Sequence, residues 1–439
     1  MEIKNGDLAF EIKDGTLVAC RGWAESIVLP SEVVLIEEGA FSDIRQPFSL
    51  VLSEGVSTIL SSAFENCNTL KSIHLPTSLR AIHRAAFSGC GSLTEVHVPS
   101  LAAFLSVGFF GVGSNPLSAG AGLYVNGALL REAVIPKEKD FKNCSALSQY
   151  AYLEAISVEE GHPTLRAEGN CLITPEGGVV LGCKNSVIPD DGSVTTICTE
   201  AFGGSDIREI DIPPSVEGIG TRAFYSCKRL SRVGFSEGLR FIGNQAFEGC
   251  EGLFEVRFPS TLSEIGAEAF YGSALVELEL PEGLLTLGEL AFSESPALKS
   301  VTFPKKIKTV GEGCFRRCRK LTYLTLPEEA EAIMAEAFSE CLGIGSVKLP
   351  RGITFVADGL FKGSIGLLLV DVPEGVKEIG EKAFYFCVSL RKLVLPSTVT
   401  SVPGSAVGIC PSLKLLSVPR TADISELELP DWTELEIRD

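Results

Sequence analysis

The residues of this 439-residue chain best suited to act as ligands, nucleophiles or bases are its four histidines, His74, His83, His97 and His162, and its fourteen cysteines. Nucleophilic hydrolysis needs a Ser or Cys beside a base, and zinc needs four ligands at set spacings. No G-x-S-x-G, P-loop or H-E-x-x-H sequence frames any of these residues. A non-catalytic protein with no cofactor and no metal is therefore expected, with a hydrolase seated in an insertion as the remote alternative. His74 and His97 stand in equivalent positions, with Ser72 and Glu95 beside them, which predicts two imidazoles one rung apart. A metal or pH-responsive site there would need further ligands, so an ordinary solvated pair is the expectation.

The cysteines follow a pattern of their own. Cys67, Cys90, Cys227, Cys250, Cys318, Cys341, Cys387 and Cys410 fall in one recurring position, which elsewhere holds Ser205, Ser273, Ser295 and Ser364. A slot that takes Cys or Ser asks for a small buried side chain and not for a disulfide or ligand. Cys314 with Cys318 imitates C-x-x-x-C only because Cys314 replaces an Ala. Cys171 and Cys183 flank a Pro-Glu-Gly-Gly turn, where a disulfide is an open alternative.

The elements that must position these residues come from a repeat. LKSIHLPTSLRAIHRAAFSGC from Leu70 and LRKLVLPSTVTSVPGSAVGIC from Leu390 share L-x-x-[IVL]-x-[LVF]-P-x-x-[VLI]-x-x-[IV]-x-x-x-A-F-x-x-C, with partial departures in the second. The steps Pro76 to Pro99, Pro327 to Pro350 and Pro350 to Pro373 are each 23 residues. A Phe position tracks the same period, from Phe41, Phe64, Phe87 and Phe110 to Phe361 and Phe384. The period is too short for a helix pair. L-x-x-I-x-L alternates like a strand, Pro ends it because it cannot donate to a ladder, and A-F-x-x-C fits a helical or irregular turn. Stacked coils predict a repeat solenoid with one long parallel sheet, of about 16 coils and roughly 75 to 80 Å at about 4.8 Å per coil.

The expected organisation is an N-terminal capping hairpin over 1–24 turning at Asp14-Gly15, a solenoid over 25–420 and a C-terminal cap over 421–439. The period breaks where 37 residues separate Pro99 from Pro136 and 30 separate Glu159 from Pro189. These breaks place inserted hairpins at about 111–135, with a turn at Asn126-Gly127, and about 160–188.

VEGIGTRAFYSC from Val216, LRFIGNQAFEGC from Leu239 and VKEIGEKAFYFC from Val376 resemble the BspA-like leucine-rich repeat proteins over nearly the whole chain. The resemblance implies a right-handed, horseshoe-like α/β leucine-rich solenoid that binds protein or surface ligands. It also raises the alternative of a bacterial cell-surface adhesin for host matrix protein or glycan.

The inward slots belong to the core, so the outward strand slots are the candidate binding surface: His74, His97, Glu209, Asp211, Arg232, Glu255, Arg257, Glu277, Glu279, Tyr323 and Lys348. Glu209, Arg232 and Glu255 alternate in sign along one column, and Arg257 precedes Glu279 in the other, so cross-strand pairing accounts for them without a partner. Tyr323 is the one aromatic displayed there. With 38 Lys plus Arg against 56 Asp plus Glu, the net charge of −18 disfavours nucleic acid and anionic membranes. The first residues carry no export signal and no stretch is apolar enough to span a bilayer, so a monomer in the cytoplasm is expected, or one at the cell surface or secreted if a leader was removed. A protein is the expected partner, with glycan as the alternative.

Overall fold

A computed structural model describes the chain except residues 1, 6, 140–143, 428 and 430, of which 1, 6, 428 and 430 fall within the expected caps. The chain forms two compact units. One comprises Met1–Val187 with Ala201–Asp206, the other Ile188–Glu200 with Ile207–Asp439. Both are β-solenoids of stacked parallel strands with almost no helix, in keeping with a leucine-rich repeat fold.

Each regular coil of the second unit has three hydrogen-bonded faces. On the strand face a three-residue strand, such as Arg232–Gly234, pairs in parallel with its counterparts Glu209–Asp211 and Glu255–Arg257. The middle residue points inward, so Ile210, Val233 and Val256 are buried while Glu209, Asp211, Arg232, Glu255 and Arg257 are exposed. Pro or another residue then turns the chain into a two-residue strand. The apolar pair that reads in sequence as a simple return therefore builds a second ladder, which joins Gly218–Ile219, Phe241–Ile242, Glu264–Ile265 and Thr286–Leu287. Two residues suffice for a rung because each is bonded on both sides.

The third face is made by the A-F-x-x-C turn. The residues two before and two after the Phe take left-handed φ, as in Arg222 (56°) and Ser226 (54°), or Glu336 (54°) and Glu340 (54°). Alternating left- and right-handed residues aim the amides toward the next coil. Gln245 N donates to Ala267 O (2.8 Å), Phe247 N to Ala269 O (2.7 Å) and Gly249 N to Tyr271 O (2.8 Å). Left-handed backbone in a non-glycine residue costs on the order of 1 kcal/mol, and these intercoil bonds offset it. Inside, Phe224, Phe247, Phe270 and Phe292 are fully buried and stack face to face at 5.0, 5.0 and 5.3 Å, continuing to Phe384.

In the first unit, Leu8–Lys13 and Thr16–Arg21 form an antiparallel hairpin through Asp14 (φ 48°) and Gly15 (φ 77°), and the short parallel strands stack upon it. Its strand face runs in the order Ser26–Val28, Phe48–Val51, Leu70–His74, Glu95–Val98, Gly122–Val125, closed by Ala128–Leu129 across Asn126-Gly127. One sequence assignment is corrected here. Phe110 is not in the Phe core: it is 55% exposed and stacks on His83 at 5.3 Å. The short helix Leu101–Phe104 shifts the chain, so Phe87 N bonds to Gly113 O and buried Ser114 follows where the next Phe would stand. The second inserted hairpin, Cys171–Ile173 with Gly178–Leu181, also turns inward, and Leu172, Ile173, Val179 and Leu181 are buried. Among the described residues no helix is long and apolar enough to cross a membrane.

Candidate binding face

The strand face carries every candidate residue, and the structure brings some of them together. Arg232 reaches back across the rung to Glu209 (Nε to Oε2, 3.2 Å) and diagonally to both oxygens of Asp211 (2.7 and 3.1 Å). These carboxylates, Asp211 foremost, raise the guanidinium pKa and hold it charged. Glu255 does not extend the alternating column. It pairs with Arg257 two residues along its own strand, at 3.0 Å. Side chains at i and i+2 share one face of a strand, and the long Arg257 folds back over it. The expected cross-strand pairing of Arg257 with Glu279 does not form among the described contacts, because the sheet is interrupted between Glu255–Arg257 and Glu277–Glu279.

From that interruption onward the strand face changes character. Among the described ion pairs none involves Glu277, Glu279, Lys348 or Asp371, and all four are exposed. Tyr323 is 74% exposed, the most exposed aromatic of the face, and Leu369 is 50% exposed two rungs on.

In the first unit His74 and His97 are rung partners and their rings stack at 4.2 Å, only 5° from parallel. Glu95 Oε2 lies 2.9 Å from His97 Nε2. Burial first, and then the neighbouring His97, lowers the His74 pKa, so the stack favours a neutral ring there. Sequence reasoning missed the third member, Tyr124, which stacks on His97 at 4.8 Å in register with it. The inserted segment breaks the 23-residue count that would have found it; only the alternation of GLYV hints at a strand. Ser72, grouped with the outward residues in the sequence reading, is buried. Among the described residues no group of three or more His, Cys, Asp or Glu could hold a metal ion.

The cysteine slot has a finer logic than size. Cys250 Sγ donates to Phe224 O at 3.1 Å, Cys341 Sγ to Phe315 O at 3.1 Å, and Ser364 Oγ to Phe338 O at 2.9 Å. The slot thus takes Cys or Ser because both are small and both donate to the Phe carbonyl of the coil before. Burial pushes these thiols up, Cys90 and Cys318 to about 12. Cys171 and Cys183 are both free, held over the backbone carbonyls of Val187 and Asn170.

Comparison with known proteins adds the following. The profile described as "BspA type Leucine rich repeat region (6 copies)" matches residues 11–113, 182–299 and 286–414. No curated protein sequence matches the chain. Among solved structures, a leucine-rich repeat protein from Bacteroides ovatus is 21% identical over 100% of both chains, with TM-score 0.48. One from Eubacterium ventriosum is 17% identical over 98% of this chain and 96% of that one, also with TM-score 0.48. A leucine-rich repeat protein of T. pallidum is 28% identical over 50% of this chain and 86% of its own, with TM-score 0.34.

Proposed function

Since the chain belongs to the BspA-type leucine-rich repeat family, we propose that it is a non-catalytic protein-binding solenoid that engages its partner through the strand face. The observation that carries this reading is the set of exposed outward side chains with no described ion partner, Glu277, Glu279, Tyr323 and Lys348, on short strands whose inner residues Leu278 and Val347 are buried and Leu324 half-buried. Side chains already committed to neighbours contribute little to a partner, whereas unpaired charges around an exposed aromatic supply complementarity and a hot-spot residue. Arg232, Glu209 and Asp211 would serve as a preformed charged cluster beside them. His74, His97 and Tyr124 would offer a flat, stacked edge in the first unit. Of the two insertions, the exposed Asn126-Gly127 turn fits a contact role better than the inward-turned 171–181 hairpin.

A photo-crosslinking amino acid tests the face directly. Placed at Tyr323, Glu279 or Arg257 in the source cells, it should give a discrete protein adduct, while the same group at Phe386 or Lys382 on the turn face should not. Equal adducts from both faces, or none from the strand face, would sink the reading.

A further inference from the structure

The inward slot of the strand face is sealed from solvent along the second unit with one exception. Ile210, Val233, Val256, Leu278 and Val301 are at most 6% exposed, as are Val347, Val370 and Leu393, whereas Leu324 in the same slot is only half-buried. A boundary between sheets does not by itself uncover the core. At the boundary between Glu255–Arg257 and Glu277–Glu279, the inward Val256 and Leu278 stay 6% and 1% exposed.

Leu324 lines a cavity of about 390 Å³, whose apolar wall continues with Leu369. The remaining wall carries two charges of each sign, arranged by coil. Glu328 comes from the first of three coils, Lys348 and Arg351 from the second, and Asp371 from the third. Lys348 and Asp371 are register partners, and Glu328 and Arg351 hold equivalent positions 23 residues apart. All four are exposed, and none of them takes part in a described ion pair. Arg232, by contrast, closes on Glu209 and Asp211 across the same rung spacing.

We infer that this cavity is a binding site for a small zwitterion with an aliphatic side chain, an α-amino acid such as leucine. Its carboxylate meets Lys348 and Arg351, its ammonium a flanking carboxylate, and its side chain the exposed part of Leu324 with Leu369. The volume falls in the range of small-molecule sites, and an apolar wall with a few convergent charged groups is their usual composition. The ammonium and carboxylate of an α-amino acid share one carbon, so both fit within a rung spacing of about 4.8 Å. A ligand with a single charge would face two wall charges of its own sign, whereas a zwitterion finds a charge-assisted partner for each group. The inference goes beyond the protein-binding reading and does not rest on it.

The test is calorimetric titration of the full chain with L-leucine and with four probes that each lack one element: glycine the side chain, isocaproate the ammonium, isoamylamine the carboxylate, and glucose all charge. The expected result is a dissociation constant of about 0.1 to 1 mM for leucine, with every other probe at least about tenfold weaker. Lys348→Met and Asp371→Asn should each weaken leucine about tenfold or more, and Lys382→Met on the turn face should leave it unchanged. Circular dichroism confirms that all three variants are folded. No binding of leucine, binding of glucose or a singly charged probe as tight as that of leucine, or leucine binding that survives both Lys348→Met and Asp371→Asn would overturn the site. Of the residues assigned to the protein-binding face only Lys348 is shared, so each of these outcomes leaves that reading to be judged by its own crosslinks.

Discussion

The strand and turn faces of the second unit both display charge, and they use it differently. On the turn face, Arg317 bridges Glu294 (2.7 Å) and Glu340 (3.0 Å) on the coils either side, Glu336 takes Lys362 (3.2 Å) and Arg316 (3.2 Å), and Gln245 donates to Glu268 (2.7 Å). Its side chains thus knit coil to coil over the same stretch where the strand face leaves Glu277, Glu279 and Lys348 without ion pairs. A repeat places equivalent residues one rung apart on every face, so pairing along a column is easily achieved. Its absence, among the described ion pairs, from the strand face beyond Glu255–Arg257 separates a surface that stabilises the stack from one that is open to a partner.

Substitutions at four positions and one titration would break or sharpen this contrast. Phe247→Ala, beneath both faces, should cost about 3 to 5 kcal/mol in urea denaturation through the cavity it leaves. A loss under about 1 kcal/mol would mean that the Phe stack does not organise the coils. Cys250→Ala removes a donor to Phe224 O and should cost about 1 kcal/mol, whereas Cys250→Ser should recover most of that loss. If serine fares no better than alanine, only the size of the slot matters. Arg317→Ala should lower stability measurably but by less than Phe247→Ala, since its two ion pairs are partly exposed, and should leave crosslinking from Tyr323 unchanged. The reverse pattern is expected of Glu279→Ala: stability within about 0.5 kcal/mol of wild type but a weaker adduct. A change in stability from Glu279→Ala as large as that from Arg317→Ala would erase the distinction between the faces.

The smallest effect concerns the first unit's strand face. The His74 pKa is lowered in the folded state, so its contribution to stability is present above its unfolded pKa, about 6.5, and is lost as pH falls through the lower folded value. Between pH 8 and 5, wild type should therefore lose slightly more stability than His74→Gln, as read from paired denaturation curves. An equal loss in both proteins would show that the stacked ring titrates as it does in the unfolded chain.

The solenoid was legible in the sequence because each slot has one physical demand, repeated: an inward aliphatic, a stacked Phe, a small donor. The outward positions of Glu209 through Lys348 followed from the same alternation. Their pairing did not, because a long Arg can reach along its strand, across the rung or diagonally; Arg257 takes the first course and Arg232 the other two. Tyr124 was hidden by the insertion that carries it, and Phe110 was misplaced because a four-residue helix shifts the chain without disturbing the count. The separation of Tyr323–Thr325 and Ser346–Lys348 into two sheets was harder to read, because both rungs keep the strand alternation and the break depends on how closely two backbones approach.

The turn ladder described above has one further consequence. In a parallel sheet the peptide groups point alternately to either side, and their dipoles largely cancel. In these turns successive bonded amides all point toward the later coil and their acceptor carbonyls toward the earlier one, from Arg222 to Asn244 and Phe224 to Ala246 through to Phe384 to Ala406. The aligned groups sum as they do along a helix, so this face has an electrical polarity, with its positive end at the last coil. The chain that follows carries Asp423, Glu426, Asp431, Glu434 and Glu436, and Glu426 packs its backbone against Gly404 of that coil. Acidic residues close to that positive end are favoured electrostatically, and Glu426, whose backbone meets the last coil, is placed for it.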